Sequence, residues 1–374
     1  MNTKIIGIII LVVAIGGASA YFITKNDPVE TNSFSTQPIS QNEKISLVIN
    51  TINPPQSIDD LEDAYKVAST SGAGRTNLYV YWGQVEPEKG NFDWRTTDVL
   101  MKLNEKYNFK TTLFFSVINA DRLGPFPSWM GNQAIGETLE GETIRVLDSI
   151  LSRYENIDYV IFAGDIDYHF QRASGSIPTY VNFFDDVYTE IKSKHPDVKI
   201  GNSMSLENVI NKGMEPGGSF ELTPKLEMGD FIALSYKPTD VVGDINRTPQ
   251  EAITNLEQSL EIFPSQQLAF FEISWSTSDF VNGNDNDQAE FIKSSLNFFE
   301  ENESKIEFFT ISRLFDKPKG SCVSQEIESI GGSGFASNSF RLERVDEYVC
   351  NSGLIDTNEN AKPAWMQFKS NITQ

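Results

Sequence analysis

Two carboxylates that follow apolar, strand-like segments are the residues of this chain best placed to do chemistry. Glu272 ends a continuous apolar run over residues 268–271, and Asp165 comes shortly after a second run over residues 159–162. A carboxylate at the end of a buried strand is costly unless it faces a cavity or a partner. Parallel α/β proteins place functional side chains at the carboxyl ends of their strands. Two acids there can supply a nucleophile and a proton donor, or each can be a structural acid that binds backbone amides at the rim.

Strand-like and helix-like segments alternate from residue 44 onward, which is typical of a parallel sheet with crossover helices. The units are about 30–40 residues long and eight strands are predicted, so the pattern indicates an α/β protein with one (β/α)8 TIM barrel. The predicted strands cover residues 45–50, 78–82, 111–118, 159–162, 198–201, 231–235, 268–271 and 308–311.

The first 25 residues are predicted to be a signal peptide or a membrane anchor. Lys4 precedes an apolar stretch over residues 5–23, which contains the cleavage-like triplet Ala18-Ser19-Ala20. Roughly 19 apolar residues also suffice for a helix to cross about 30 Å of hydrocarbon. Residues 26–43 are polar and carry two prolines, as a tether would, and this favours an anchor. Either interpretation places the barrel, residues 44–374, outside the cytoplasm.

The net charge of the chain limits the classes of partner that it is expected to bind. Its 52 acidic and 30 basic residues give a formal net charge of -22, which argues against nucleic acid and against anionic membranes as partners. We therefore expect membrane contact only through the N-terminal segment. A neutral partner is easier to accept than an anionic one. With two histidines and no Cys/His cluster, the chain predicts no metal site.

The two cysteines, Cys322 and Cys350, fit an oxidising compartment. A disulfide between them would stabilise the fold by roughly 3 kcal/mol through restriction of the unfolded chain. The alternative is two unrelated free thiols.

Four motifs, in order along the chain, resemble those of clan A glycoside hydrolases. They are WGQVEPEKGNFDW at residues 82–94, IALSYKP at 232–238, FEISWSTS at 271–278 and GLIDTNENAKPAW at 353–365. The resemblance covers nearly all of residues 44–369. Clan A enzymes are retaining glycosidases on a (β/α)8 barrel, with a nucleophilic Glu that ends the seventh strand and an acid/base Glu that ends the fourth. The resemblance implies that Glu272 is the nucleophile, that the substrate is an oligo- or polysaccharide, and that no cofactor is needed.

The segment after the fourth predicted strand departs from the family pattern. The family's GNEVD.YF corresponds to AGDIDYHF at residues 163–170. An alignment on the glycine would put Ile166 at the position of the catalytic Glu. An alignment on Ile166, Asp167 and Phe170 puts Asp165 there, with Gly164 at the position of the Asn, and it matches more residues. We therefore predict Asp165 as the acid/base, with Asp167 next in line.

Four aromatic residues at or just after predicted strand ends are candidates for sugar contacts, because ring faces stack on sugars and a Tyr hydroxyl can donate to them. They are Trp82, Trp129, Tyr236 and Trp275. Buried aromatic side chains are more often part of the core, so the alternative is plain packing. Glu86 is expected to brace its own loop.

These observations predict an extracytoplasmic glycoside hydrolase that cleaves O-glycosidic bonds of β-linked glycans by a two-carboxylate mechanism. The alternative is a catalytically inactive barrel that binds carbohydrate or serves at the cell surface, because the Asn-Glu pair is altered. If Asp165 and Glu272 face one cavity the enzyme is favoured, and if Ile166 points inward it is disfavoured.

Overall fold

The structure, a computed structural model, describes residues 40–115, 117–211, 219–323 and 339–372. The predicted N-terminal signal or anchor therefore lies outside the described residues, as does nearly all of the predicted linker. Within the described ranges, no helix is both long and apolar enough to cross a membrane.

Eight parallel strands close into a barrel in the order β1-β8-β7-β6-β5-β4-β3-β2, which confirms the predicted (β/α)8 fold. The strands are β1 (Asn42–Leu47), β2 (Ala73–Val80), β3 (Lys110–Phe115), β4 (Ile157–Ile161), β5 (Lys199–Ser205), β6 (Phe231–Tyr236), β7 (Leu268–Ile273) and β8 (Ile306–Ile311). The first strand begins at Asn42, so the barrel starts two residues before the predicted boundary at residue 44.

Helices surround the barrel, and two of them begin with a capping box. Ser57 pairs with Asp60 at one helix start, and Thr248 pairs with Glu251 at another. Such reciprocal bonds satisfy backbone N–H groups that the first helical turn leaves free. The helices of the described residues are Ile58–Ala68, Trp82–Val85, Arg95–Lys106, Glu137–Arg153, Ile166–Arg172, Ile177–Lys194, Leu206–Ile210, Thr223–Leu226, Pro249–Ile262, Asp285–Glu301, Ser339–Cys350 and Pro363–Ile372.

The strands bury both of their faces. Their outward residues pack with the helices in one large core, whereas a smaller apolar cluster fills the barrel itself. This alternation is the period of two expected of a strand between two layers. The inner cluster contains Phe114, Tyr159, Ile161, Phe231, Ala233, Ala269, Phe271 and Phe308.

Charged pairs close the barrel near the amino-terminal ends of its strands, in a region that we call the floor. Arg75 is only 3% exposed, and its Nη2 donates to Asp158 Oδ2 at 2.7 Å. The Arg75 guanidinium also lies 4.6 Å from the centroid of the Tyr159 ring. Lys199 Nζ pairs with Glu307 Oε2 at 2.6 Å, and Tyr159 donates its hydroxyl to the same oxygen at 2.7 Å. Arg75 and Lys199 therefore each have a carboxylate partner.

Cys322 and Cys350 form a disulfide, which confirms the predicted pair. It joins the segment after β8 to the last residue of helix Ser339–Cys350. Asp346, one helical turn before Cys350, accepts backbone N–H groups from Gly320, Cys322 and Val323. The disulfide and this carboxylate together tie the loop after β8 to the helix.

Candidate active site

A β-bulge near the end of β7 turns Glu272 into the barrel mouth. Between the pairs Leu234–Phe270 and Tyr236–Ile273, β7 has one residue more than β6. Glu272 takes up the extra residue with a left-handed φ of 67°. As a result, Glu272 and the residue before it both line the central cavity, although neighbouring strand residues normally face opposite sides.

The central cavity holds about 560 Å³ at the carboxyl ends of the strands, and both Glu272 and Asp165 line it. Ile166, by contrast, is fully buried in the core between strands and helices. Of the two residues that the alternative alignments place on the catalytic Glu, the one that faces the cavity is therefore Asp165.

Two serine hydroxyls position the Asp165 carboxylate. Ser203 on β5 donates to Oδ1 at 2.9 Å, and Ser235 on β6 donates to the same oxygen at 2.8 Å. The Ser203 hydroxyl also accepts the backbone N–H of Asp165 at 2.9 Å, which holds the residue in a left-handed conformation with φ of 46°. No hydrogen bond to the described residues occupies Oδ2. Because β6 adjoins β7, the contact with Ser235 directs Asp165 toward the strand that carries Glu272.

The residue before Asp165 has no room for a side chain. A Cβ at Gly164 would lie 2.6 Å from the Phe114 ring, closer than such contacts occur. In the alignment that puts Asp165 on the family's Glu, Gly164 occupies the position of the Asn. No amide side chain can reach the cavity from that position unless Phe114 moves.

Glu272 lies between a hydrogen-bond donor and a cation. The Tyr79 hydroxyl, on β2, donates to Glu272 Oε1. Burial and the negative charge of Glu272 raise the pKa of Tyr79 well above its usual value, so this hydroxyl remains a donor. Burial lowers the pKa of Arg313, and the charge of Glu272 opposes that shift. The carboxylate is thus oriented by Tyr79 and lies in the field of Arg313.

Asp167 has a structural environment instead. It is fully buried and lines neither of the two cavities described in this section. Its carboxylate accepts the backbone N–H of Ser205 at 2.9 Å and the Asn208 amide at 2.8 Å. Burial, with a smaller contribution from the charge of Asp165, raises the pKa of Asp167 to about 7. Asp167 thus joins the helix after β4 to the loop after β5.

Three of the four predicted sugar-contact residues lie in the core. Trp82, Tyr236 and Trp275 are each at most 1% exposed, and none of them lines the central cavity. Trp82 donates its Nε1 to Glu86 at 2.8 Å, and the Tyr236 hydroxyl accepts from Asn255 at 2.8 Å. These side chains point away from the barrel axis, so they have no free face for a sugar.

Trp129 is partly exposed but also lies outside the lining of the central cavity. Its Nε1 donates to the carbonyl of Glu86 at 3.1 Å. The Glu86 carboxylate in turn accepts from Gly90 N at 2.6 Å and from Arg145 at 2.6 Å, so Glu86 does brace its loop as expected.

The aromatic residues that do line the cavity are different ones. Tyr79 and Tyr81, two positions apart on and just after β2, both face it, as do Phe114 and Phe271. The period of two along β2 was the available signal. The prediction of Trp82 follows instead from its ring type and its place at the strand end, and Trp82 lies on the opposite face.

A second cavity of about 740 Å³ adjoins the central one and shares four lining residues with it, namely Asp165, Ser235, Lys237 and Val349. Glu207 and Arg247 form an ion pair in its wall. Burial raises the pKa of Glu207 to about 7, although Arg247 opposes this shift. The two cavities together form a cleft that is longer than the space around the two candidate catalytic acids.

One group of three potential metal ligands occurs among the described residues, namely Cys322, Asp346 and Cys350. Both sulfur atoms are consumed by the disulfide, so this group is not a metal site.

No family model matches this chain, and no curated protein matches it. Solved structures do share the fold. A GH5_18 protein from Streptomyces cattleya, in complex with Manβ1-4GlcNAc, has a TM-score of 0.63 and 11% identity over 88% of this chain and 80% of its own. A psychrophilic family 10 endo-β-1,4-xylanase has a TM-score of 0.60 and 14% identity over 87% and 96%.

An exo-β-1,4-mannosidase from Opitutaceae bacterium strain TAV5 has a TM-score of 0.61 and 12% identity over 91% of this chain and 62% of its own. Identities this low establish the fold alone. The chain therefore has the barrel seen in clan A glycoside hydrolases, as its sequence motifs predict.

Proposed function

We propose that this protein is an extracytoplasmic glycoside hydrolase that cleaves O-glycosidic bonds of β-linked oligo- or polysaccharides. The observation that carries the proposal is that Glu272 and Asp165, from opposite sides of the barrel, line one cavity at the carboxyl ends of the strands. Solved proteins of the same fold include a xylanase and a mannosidase, which supports a glycan as the substrate.

In the proposed reaction, Glu272 attacks the anomeric carbon while Asp165 protonates the departing glycosidic oxygen. The bond from Glu272 to the sugar forms as the bond to the leaving group breaks. Asp165, now deprotonated, then takes a proton from a water molecule that attacks the same carbon and releases Glu272. This route retains the anomeric configuration and needs carboxyl groups about 5–5.5 Å apart. Asp is one methylene shorter than Glu, so the carboxyl group of Asp165 can lie further from that of Glu272. A wider separation of the two carboxyl groups would favour inversion of the anomeric configuration.

The first test is a screen of the full-length protein against aryl β-glycosides and against β-glucans, galactans and mannans. We expect Glu272→Gln to lower kcat by about 10³-fold or more, since it removes the nucleophile. Asp165→Asn should lower it by about 10²–10⁴-fold. The matched control is Asp59→Asn, an exposed acid-to-amide change on helix Ile58–Ala68.

The role of Asp165 has a more specific signature. A dinitrophenyl leaving group departs without protonation, whereas a sugar leaving group needs a proton. Asp165→Asn should therefore retain much more activity on dinitrophenyl glycosides than on unactivated glycans. Equal losses on both substrates would contradict a role for Asp165 as the general acid.

A carbohydrate-binding protein without activity is the second candidate. It is favoured by the shortness of Asp165 and by Gly164, which leaves no room for the family's Asn side chain. No turnover on any substrate, with glycan binding that both Glu272→Gln and Asp165→Asn retain, would establish this function instead.

The extracytoplasmic location is part of the proposal. The Cys322–Cys350 disulfide supports it, because such bonds persist in oxidising compartments. Fractionation of cells that express the full chain should place the protein in the membrane fraction if residues 1–25 are an anchor, and in the medium or periplasm if they are cleaved. Recovery in the cytosol with free thiols would contradict the proposal.

A further inference from the structure

The central cavity is basic although the protein as a whole is strongly acidic. The chain has a formal net charge of -22. Nevertheless, apart from the two candidate catalytic acids, every charged residue that lines the cavity among the described residues is a cation. These cations are Lys237, Arg313 and Lys317.

Lys317 is the most unusual of these cations. Its side chain is only 6% exposed and lines the cavity, yet its Nζ makes no hydrogen bond or ion pair with the described residues. The neighbouring acid, Asp316, is already bound to Lys362 at 2.6 Å. Burial and the charge of Arg313 lower the pKa of Lys317 to about 8, so the group still carries its charge in most molecules at neutral pH.

The side chain of Arg313 likewise makes no hydrogen bond with the described residues. Its Nε is buried and unsatisfied, and the described residues offer its guanidinium no ion pair within 4 Å. Other buried cations of the protein differ in this respect, since Arg75 binds Asp158 and Lys362 binds Asp316. Glu272 is the acid that faces Arg313 electrostatically, and the described residues give Lys317 no ion pair at all. A buried cation without an ion pair is costly, so this part of the cavity has one positive charge more than its acids balance, which indicates a site completed by an anion.

We propose that Arg313 and Lys317 bind an acidic group on a sugar ring, and that the glycan substrate is therefore anionic, such as one that contains a uronic acid. The forked guanidinium suits a planar carboxylate, and the ammonium of Lys317 adds a second contact. Arg313 follows β8, the strand that adjoins β7, and lines the same cavity as Glu272, so the acidic group is assigned to the sugar next to the cleaved bond. The cations would also offset the repulsion between that group and Glu272. Inside the cavity, this replaces the expectation of a neutral partner.

Cleavage of an anionic glycan rests on the proposed function, whereas binding of an anionic sugar does not. Binding is therefore measured first. Full-length protein with Glu272→Gln is titrated calorimetrically with ligand pairs that differ only at C6. These are methyl β-glucuronide against methyl β-glucoside, and methyl β-galacturonide against methyl β-galactoside. We expect at least one acid to bind tenfold or more tightly than its neutral counterpart. No preference for either acid would overturn the proposal.

In the second step, Lys317→Met is combined with Glu272→Gln. This change removes the charge of Lys317 and retains its apolar stem. It should abolish most of the preference for the acid and leave binding of the neutral sugar unchanged. Lys102→Met, an identical change on the exposed side of helix Arg95–Lys106, is the control for net charge and should have no effect. Equal weakening by both variants would mean that the preference comes from the overall field of the protein, which contradicts the site.

A stability measurement separates ligand binding from a structural role. Because Lys317 has no side-chain partner among the described residues, Lys317→Met should leave the Tm unchanged or raise it. A fall of several degrees in Tm would show that Lys317 supports the fold, and it would overturn the proposal.

The source of the anion and the chemistry are distinguished by two further results. Tighter binding of the 6-sulfate than of the uronide, lost in Lys317→Met, would sustain the anionic site and identify a sulfate ester. Hydrolysis of neutral glycans without any binding of acidic ones would overturn this inference and leave the proposed function intact. Binding of an acidic sugar through Lys317 without turnover would sustain the inference and refute hydrolysis.

Discussion

The floor of the barrel and its mouth, the end where the carboxyl ends of the strands lie, contain the same kinds of side chain. They differ in whether the cations are paired with carboxylates. At the floor, Tyr159 donates to Glu307, which also receives Lys199. At the mouth, Tyr79 donates to Glu272 in the same manner. Arg313 and Lys317 at the mouth, however, make no ion pair with the described residues, whereas Arg75 and Lys199 at the floor each have one.

The difference shows which end of the barrel is built for stability and which for a ligand. At the floor, the charged side chains are paired with one another, so they have no unpaired charge with which to bind a ligand. Buried charges without an ion pair, as at the mouth, destabilise the protein while no ligand is bound. Binding of a group with the opposite charge offsets this cost. In (β/α)8 barrels the carboxyl ends of the strands carry function, and the mouth agrees with this general division.

A large effect on the folded state is expected at the floor. Asp158→Asn would leave the guanidinium of Arg75, which is 3% exposed, without its ion pair. Loss of one partner from a buried pair costs about 3–5 kcal/mol, and we expect about 3 because Asp158 itself is 36% exposed. Urea unfolding of the full-length protein measures this. If Lys317→Met at the mouth were destabilising to the same extent, the contrast between the two ends would fail.

A second prediction concerns the buried acid behind the mouth. The folded pKa of Asp167 is raised to about 7 from 3.8, so between these values the folded state holds a proton that the unfolded state has lost. The stability contributed by this proton is therefore present at about pH 4 and lost as the pH rises through 7, by up to about 4 kcal/mol.

Asp167→Asn cannot titrate. Its stability relative to the original protein should improve steadily from pH 4 to pH 8, as followed by urea unfolding at each pH. A difference that does not vary with pH would mean that Asp167 keeps its ordinary titration in the folded state.

The disulfide beside the mouth should contribute about 3 kcal/mol, given a sequence separation of 28 residues. The double change Cys322→Ser and Cys350→Ser is expected to lower the free energy of unfolding by that amount. Reductant should reproduce the loss in the original protein and have no further effect on the double variant. An unchanged unfolding curve would show that helix Ser339–Cys350 holds its loop without the covalent bond.

The smallest effect compares the two tyrosines directly. Tyr79→Phe removes a hydrogen bond to Glu272 that is worth about 1.5–3 kcal/mol, so kcat should fall by about 10–100-fold with little change in stability. Tyr159→Phe removes the corresponding bond to Glu307 and should lower stability while kcat remains the same. Turnover that responds equally to both changes would contradict the division between mouth and floor.

Local patterns in the sequence were sufficient to predict the barrel. The apolar runs at residues 231–235 and 268–271 lie within strands, as predicted. Each of these signals acts over a few residues, so it does not depend on what packs against it.

The orientation of side chains at the strand ends was harder to predict. A shift of one position along a strand moves a side chain to its other face. For this reason the sequence directed attention to Trp82 rather than to Tyr79 and Tyr81, which line the cavity. The bulge at Glu272 is likewise a property of β7 together with β6 and β8, and no local pattern indicates it.

The amino-acid sequence alone therefore determined the order of strands and helices, the two acids at strand ends and the pair of cysteines. Tertiary structure decided that Asp165 faces the cavity, that Asp167 and Ile166 do not, and that Lys317 has no carboxylate partner among the described residues. The physical reason is the distance along the chain over which the deciding interactions act. Strand and helix formation follows from neighbours along the chain, whereas a cavity is lined by residues that only barrel closure brings together.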